Sequence, residues 1–169
     1  GVVPPAQQSA SALPLSLQTS HAYAATDSAL RDTYLRNLRW AAEQAAATGK
    51  TILIEPINGR DMPGYFLNDF PFAAELIAEL ALPNLRLQFD IYHRQILHGD
   101  VMKGLEALLP ITGHVQTASV PKRNEPGTGE LDDVRIFRHL DALGYDGFVG
   151  CEYRPAGHTV EGLGWLRNA

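Results

Sequence analysis

Four oxygen-bearing side chains, Glu55, Asp90, Gln116 and Glu152, each stand at the first position after a short run rich in apolar or β-branched residues. The runs are 51–54, 85–89, 111–115 and 147–151, and the four polar residues are spaced 35, 26 and 36 apart. Each interval is about the length of one strand–helix unit, so the four side chains come from successive strands at one height. Two glutamates, an aspartate and an amide oxygen form a hard, all-oxygen set. It suits Mg²⁺ or Mn²⁺ and suits Zn²⁺ poorly, because no member offers nitrogen or sulfur. Three carboxylates gathered in one place repel one another unless a cation sits between them. A divalent metal site assembled from four strand ends is the expectation.

The strands that carry these groups are expected at 51–56, 85–90, 112–117 and 147–152. Their near-continuous apolar character reads as parallel strands buried on both faces. Asp27 or Ser28 opens a helix to about Thr48, with Leu30, Tyr34, Leu38, Ala41 and Ala45 on one stripe and Gly49 just past its end. Asn68 is expected to cap a second helix, buried through Ala73, Leu76, Ile77 and Leu80 and ended by Pro83. A third runs from about Asp100 to Leu109. A fourth opens at Asp132 or Asp133, with Ile136, Leu140 and Leu143 inward and Gly144 as its stop. A short helix over 159–167 closes the chain. Trp40 and Trp165 are placed in the core, and Cys151 is placed as a buried thiol facing the helices.

Strand and helix alternate with short links, which argues for an α/β fold with parallel strands and right-handed crossovers. An open doubly wound sheet binds through a Gly-rich loop at one switch point, and none follows these strands. Polar groups at the C-terminal end of every strand favour a (β/α)8 TIM barrel, whose site lies on that face. A whole barrel takes ~250 residues, and this chain has 169. The expectation is therefore its C-terminal half, strands five to eight over 27–169. Residues 1–3 would be a remnant of strand four, and the Pro-, Ala- and Ser-rich stretch that follows, to residue 26, an irregular or disordered segment.

Composition narrows the function. With 45% hydrophobic residues the chain is globular. No apolar run approaches the ~18 residues of a membrane span. Cys151 stands alone, which excludes an internal disulfide. A net charge of −5 argues against a nucleic-acid partner held by a basic surface.

Ile54-Glu55-Pro56-Ile57-Asn58, Phe89-Asp90-Ile91-Tyr92-His93, His114-Val115-Gln116 and Gly150-Cys151-Glu152-Tyr153-Arg154 resemble the metal-site motifs of the hydroxypyruvate isomerase family, one of the xylose isomerase-like TIM barrels. The likeness runs over 35–168 and takes in Gly64-Tyr65-Phe66-Leu67 and the stretch 125–131. It implies a cytoplasmic isomerase of glyoxylate and carbohydrate metabolism, with a small 2-oxo acid or sugar as substrate and a homo-oligomer as a possible assembly. Glu55, Asp90, Gln116 and Glu152 would bind Mg²⁺ or Mn²⁺. Glu55 and Glu152 would also be the catalytic pair, exchanging protons as hydroxypyruvate and 2-hydroxy-3-oxopropanoate interconvert through an enediolate.

His93, three residues after Asp90, is a candidate for a hydrogen bond to a substrate oxygen. Arg123, in the loop after the Gln116 strand, is a candidate clamp for the substrate carboxylate, with Lys122 as its alternative. His114, two before Gln116, supports the site or packs the barrel interior. Competing readings are a 2-oxo-tetronate isomerase, a ketose 3-epimerase and an inactive remnant of the barrel. An endonuclease on the same barrel would need several histidine ligands and a basic surface.

Overall fold

The computed structural model describes residues 28–167; the expected strand remnant at 1–3, the segment before residue 27 and the Asp27 cap lie outside them. Helix α1 (Ser28–Ala46) leads into strand β1 (Ile52–Ile54), then α2 (Phe70–Leu80) and β2 (Leu85–Asp90). Two helices follow in succession, α3 (Ile91–Leu97) and α4 (Val101–Leu108). The chain continues with β3 (Thr112–Thr117), α5 (Asp133–Ala142), β4 (Val149–Cys151) and the single turn α6 (Thr159–Gly162). All four strands are parallel and lie in the order β1-β2-β3-β4. This is a partial TIM barrel: consecutive strands are neighbours, as in a barrel wall.

The strands are not buried on both faces as their composition suggested. Along β2, Leu85, Leu87 and Phe89 are buried, whereas Arg86 and Gln88 are only half-buried. One face of the sheet is covered by helices, and the other corresponds to the barrel interior and carries the polar side chains. The core lies on the helical side, where Phe70, Ala73 and Leu76 of α2 pack with Leu87, Phe89 and Val115, joined by Leu105 of α4 and Ile136 and Leu140 of α5.

Local chemistry sets the element ends. The cap of α2 is Asp69 and not Asn68: its carboxylate accepts from the Phe72 amide at 2.8 Å, and Pro71 sits in the first turn where it has no hydrogen bond to lose. Asp132 caps α5 through the Arg135 amide at 3.0 Å. Helix α3 is an additional element between β2 and the helix expected from about Asp100. Trp40 is 65% exposed, because Leu38 and Ala42 are the α1 residues turned toward the sheet. Trp165 is half-buried beside Phe137. Cys151 is exposed, and β4 has one strand neighbour among the described residues. None of the helices among the described residues is long and apolar enough to cross a membrane.

Candidate active site

Alternation along the strands puts Glu55, Gln88, Asp90, His114, Gln116, Gly150 and Glu152 on the inner side of the sheet. Asp90 is paired in register with Gln116, and Gln116 with Gly150. Glu55 directly follows β1 and Glu152 directly follows β4. The two glutamates thus stand on the two edge strands, with Asp90 and Gln116 between them.

Asp90 divides its carboxylate between two tasks. Its Oδ1 caps α3, accepting from the amides of Tyr92 at 2.7 Å and His93 at 3.3 Å. Its Oδ2 is buried and has no hydrogen-bond partner, and the same holds for Oε1 of Glu55. A buried oxygen left without a donor is costly, and two of them face one space. Nε2 of His93 lies 3.8 Å from Glu55 Oε1 and 4.0 Å from Asp90 Oδ2. One carboxylate oxygen of each acid and a ring nitrogen of His93 fall within 4.8 Å of one another, a group able to hold a metal ion.

The charges respond as this crowding requires. Burial first, and then the charge of Asp90, pushes Glu55 up to about 7, against a hydrogen bond from Gln88 that lowers it. Asp90 is pushed up to about 6, chiefly by burial, although the amides of His93 and Tyr92 and the Arg123 charge pull the other way. Burial, with Arg123 nearby, brings His93 down to about 4, so its ring is neutral at pH 7. A divalent cation between the two orphaned oxygens would satisfy both and remove the repulsion. The donor set fits such an ion.

Glu152 stands outside that three-residue group, and both it and Gln116 are engaged by other side chains. Gln116 Oε1 accepts from Gln88 Nε2 at 2.5 Å. Glu152, with its side chain 58% exposed, is held by Arg123: the guanidinium is 2.9 Å from Glu152 Oε2. Arg123 also reaches Asp61 at 3.6 Å and Asp90 at 3.9 Å, and lies 4.9 Å over the Tyr92 ring. Its own backbone is left-handed, at φ 59, a conformation that a non-glycine residue keeps only when its surroundings enforce it. Hydrogen bonds from the Arg123 amide to Ser119 O and from the Arg154 amide to Arg123 O enforce it here. Lys122, the alternative clamp, is exposed. The ring of His114 lies over Gly150, where any Cβ would meet its Nε2.

Four residues of the site escaped the sequence reading: Asn58, Asp61, Gln88 and Tyr92. Gln88 was within reach, because it precedes Asp90 by two and must share its face. Asp61 accepts from Asn58 Nδ2 at 3.2 Å. Against burial, the Tyr92 hydroxyl, Asn58 and Arg123 hold its carboxyl below the usual range.

Comparison with known proteins agrees with this architecture. The model of the xylose isomerase-like TIM barrel family matches residues 10–169. A 2-oxo-tetronate isomerase from Cupriavidus necator is 53% identical over 81% of this chain and 53% of its own. A hydroxypyruvate isomerase from Escherichia coli is 40% identical over 79% of this chain and 52% of its own. Among solved structures, an AP endonuclease, family 2, from Brucella melitensis superposes with a TM-score of 0.80 at 44% identity, covering 83% of this chain and 54% of its own. The chain spans about half the length of the curated relatives it matches.

Proposed function

Since the chain belongs to the xylose isomerase-like TIM barrel family, alongside hydroxypyruvate and 2-oxo-tetronate isomerases, we propose that it carries the proton-transfer site of a metal-assisted isomerase. The reaction is the interconversion of hydroxypyruvate and 2-hydroxy-3-oxopropanoate. The observation that carries this reading is the pair of buried oxygens without a hydrogen-bond donor, Glu55 Oε1 and Asp90 Oδ2, facing one space at the C-terminal ends of adjacent parallel strands. In this reading Glu55, Asp90, Gln116 and Glu152 hold the ion. Bound there, Mg²⁺ or Mn²⁺ supplies stabilisation of the negative charge that develops on adjacent substrate oxygens.

The protein's own groups do the rest. Glu55 and Glu152, on opposite edge strands, exchange protons with neighbouring substrate carbons. His93 meets a substrate oxygen, and Arg123 meets the substrate carboxylate while keeping Glu152 in place. Proton exchange tests the reading: hydroxypyruvate, the chain and Mg²⁺ or Mn²⁺ in D₂O. Metal-dependent entry of deuterium at carbon, abolished by a chelator and by Glu55→Gln, is the expected result. Exchange that persists in Glu55→Gln would remove that glutamate from proton transfer. Exchange absent from the native chain would favour the inactive remnant.

A second reading, 2-oxo-tetronate as substrate, is favoured by the 53% identity to an isomerase of that compound. The same experiment with 2-oxo-tetronate separates the two, and ketoses test the 3-epimerase alternative. The endonuclease designation of the Brucella structure does not carry over. The metal-capable cluster among the described residues holds a single histidine, and a net charge of −5 argues against binding through a basic surface.

A further inference from the structure

Asn58 is completely buried, three residues past Glu55, and spends every polar atom of its side chain on a neighbour. Its Oδ1 accepts from the backbone amides of Arg60 and Asp61, each at 3.0 Å. Backbone N–H groups only donate, so this end of the carboxamide is the oxygen and the other end is Nδ2, a pure donor. Nδ2 stands 2.7 Å from Nδ1 of His93, and the backbone N–H of Asn58 points at the same ring nitrogen from 3.3 Å. Two obligate donors converge on Nδ1, so Nδ1 must accept. A neutral imidazole then carries its single proton on Nε2.

We propose that Asn58 is a positioning residue that fixes His93 in the Nε2–H tautomer, so that the ring offers a hydrogen-bond donor to the space between Glu55 and Asp90. Proximity alone makes His93 look like the third ligand of a metal cluster, but a protonated Nε2 has no lone pair to give. Nor can it act as a base. It can donate to an oxygen that gains negative charge, which is where a fixed donor contributes most to rate. That catalytic consequence rests on the isomerase reading, whereas the tautomer does not. Asn58 is itself fixed by Asp61, which accepts from its Nδ2 at 3.2 Å.

The tautomer is read directly from long-range ¹H–¹⁵N correlation spectra of the ¹⁵N-labelled chain, with His93 assigned from the His93→Gln variant. At pH 7 the native chain is expected to show an unprotonated Nδ1 and a protonated Nε2, unchanged by saturating Mg²⁺. A protonated Nδ1, an averaged mixture of tautomers, or loss of the Nε2 proton when Mg²⁺ binds would each overturn the proposal. Asn58→Asp keeps the oxygen that accepts from Arg60 and Asp61 but presents a carboxylate oxygen to His93. It is expected to abolish the fixed Nε2–H pattern, with a proton appearing on Nδ1 or the two tautomers averaging. A native pattern in that variant would deny Asn58 its role. Isomerase turnover in Asn58→Asp is expected to fall about 10–100-fold in kcat, with KM changed far less. The native spectrum with no turnover in the native chain would instead count against the isomerase reading and leave the tautomer assigned.

Discussion

Burial, and then the charge of Asp90, raises Glu55 from its ordinary 4.5 to about 7, and burial raises Asp90 from 3.8 to about 6. A carboxyl with a raised folded pKa holds its proton more tightly in the native state than in the unfolded chain. Its contribution to stability is therefore complete below the unfolded value and is lost as pH rises through the folded one. For the metal-free chain that window runs from about pH 4 to about pH 7. The melting temperature should fall across it, and Mn²⁺ should restore more at pH 7.5 than at pH 5. Differential scanning calorimetry at the two pH values checks this, and equal metal effects at both would place the ion elsewhere. Glu55→Gln isolates the residue: without metal at pH 8 it should be more stable than the native chain by about 1–3 kcal/mol, because the neutral amide removes a disfavoured buried charge. Its turnover should fall by about 10²–10⁴-fold. A variant that gains stability while losing activity bears the signature of a functional group, whereas a packing residue would lose both.

At the level of elements, Asp90 is at once the end of β2, the cap of α3 and half of the orphaned pair, and substitution can separate these tasks. Asp90→Asn keeps an oxygen for the Tyr92 amide, so the α3 cap should survive while Mn²⁺ affinity, measured by calorimetric titration, falls at least tenfold. Asp90→Ala should lose the same affinity and a further ~1 kcal/mol of stability as the cap goes. Equal stability of the two variants would mean that the cap contributes nothing. This double task also shows where the sequence was legible. Apolar runs ending in oxygen-bearing residues located Glu55, Asp90, Gln116 and Glu152 on one side of a parallel sheet, because strand alternation is a strict geometric rule. Helix α3 was missed because Asp90 was read as a ligand alone, although an Asp before Ile-Tyr-His is also a cap. Asn58 stands in the quoted Ile54–Asn58 motif, but its role was not legible, because its partner His93 is 35 residues away. The left-handed Arg123 was placed in the correct loop, but its hold on Glu152 depends on contacts from Ser119 and Arg154 that no local pattern encodes.

Across the whole molecule, the four-stranded sheet has helices on one face and a polar, partly open inner face, and β1 and β4 each have one strand neighbour among the described residues. Leu53 reaches across the inner face so closely that a Cβ on Gly113 would meet it, and Phe148, just before β4, is 87% exposed. An unpaired strand edge beside a large exposed aromatic is the usual template for association with another chain. The net charge of −5 opposes self-association only weakly at physiological salt, because repulsion between surfaces is screened beyond about 8 Å. The chain should therefore show concentration-dependent species above the monomer in sedimentation velocity, and Phe148→Lys should shift the distribution toward monomer. Phe148 stands beside β4, whereas Glu55 and Asp90 stand at the ends of β1 and β2, so metal-dependent stabilisation should survive the change. A native chain that sediments as a monomer at every concentration would mean that the β4 edge is protected in solution. If Phe148→Lys instead abolished the Mn²⁺ effect, the site would depend on the associated form, and its inner face would be completed by a second sheet.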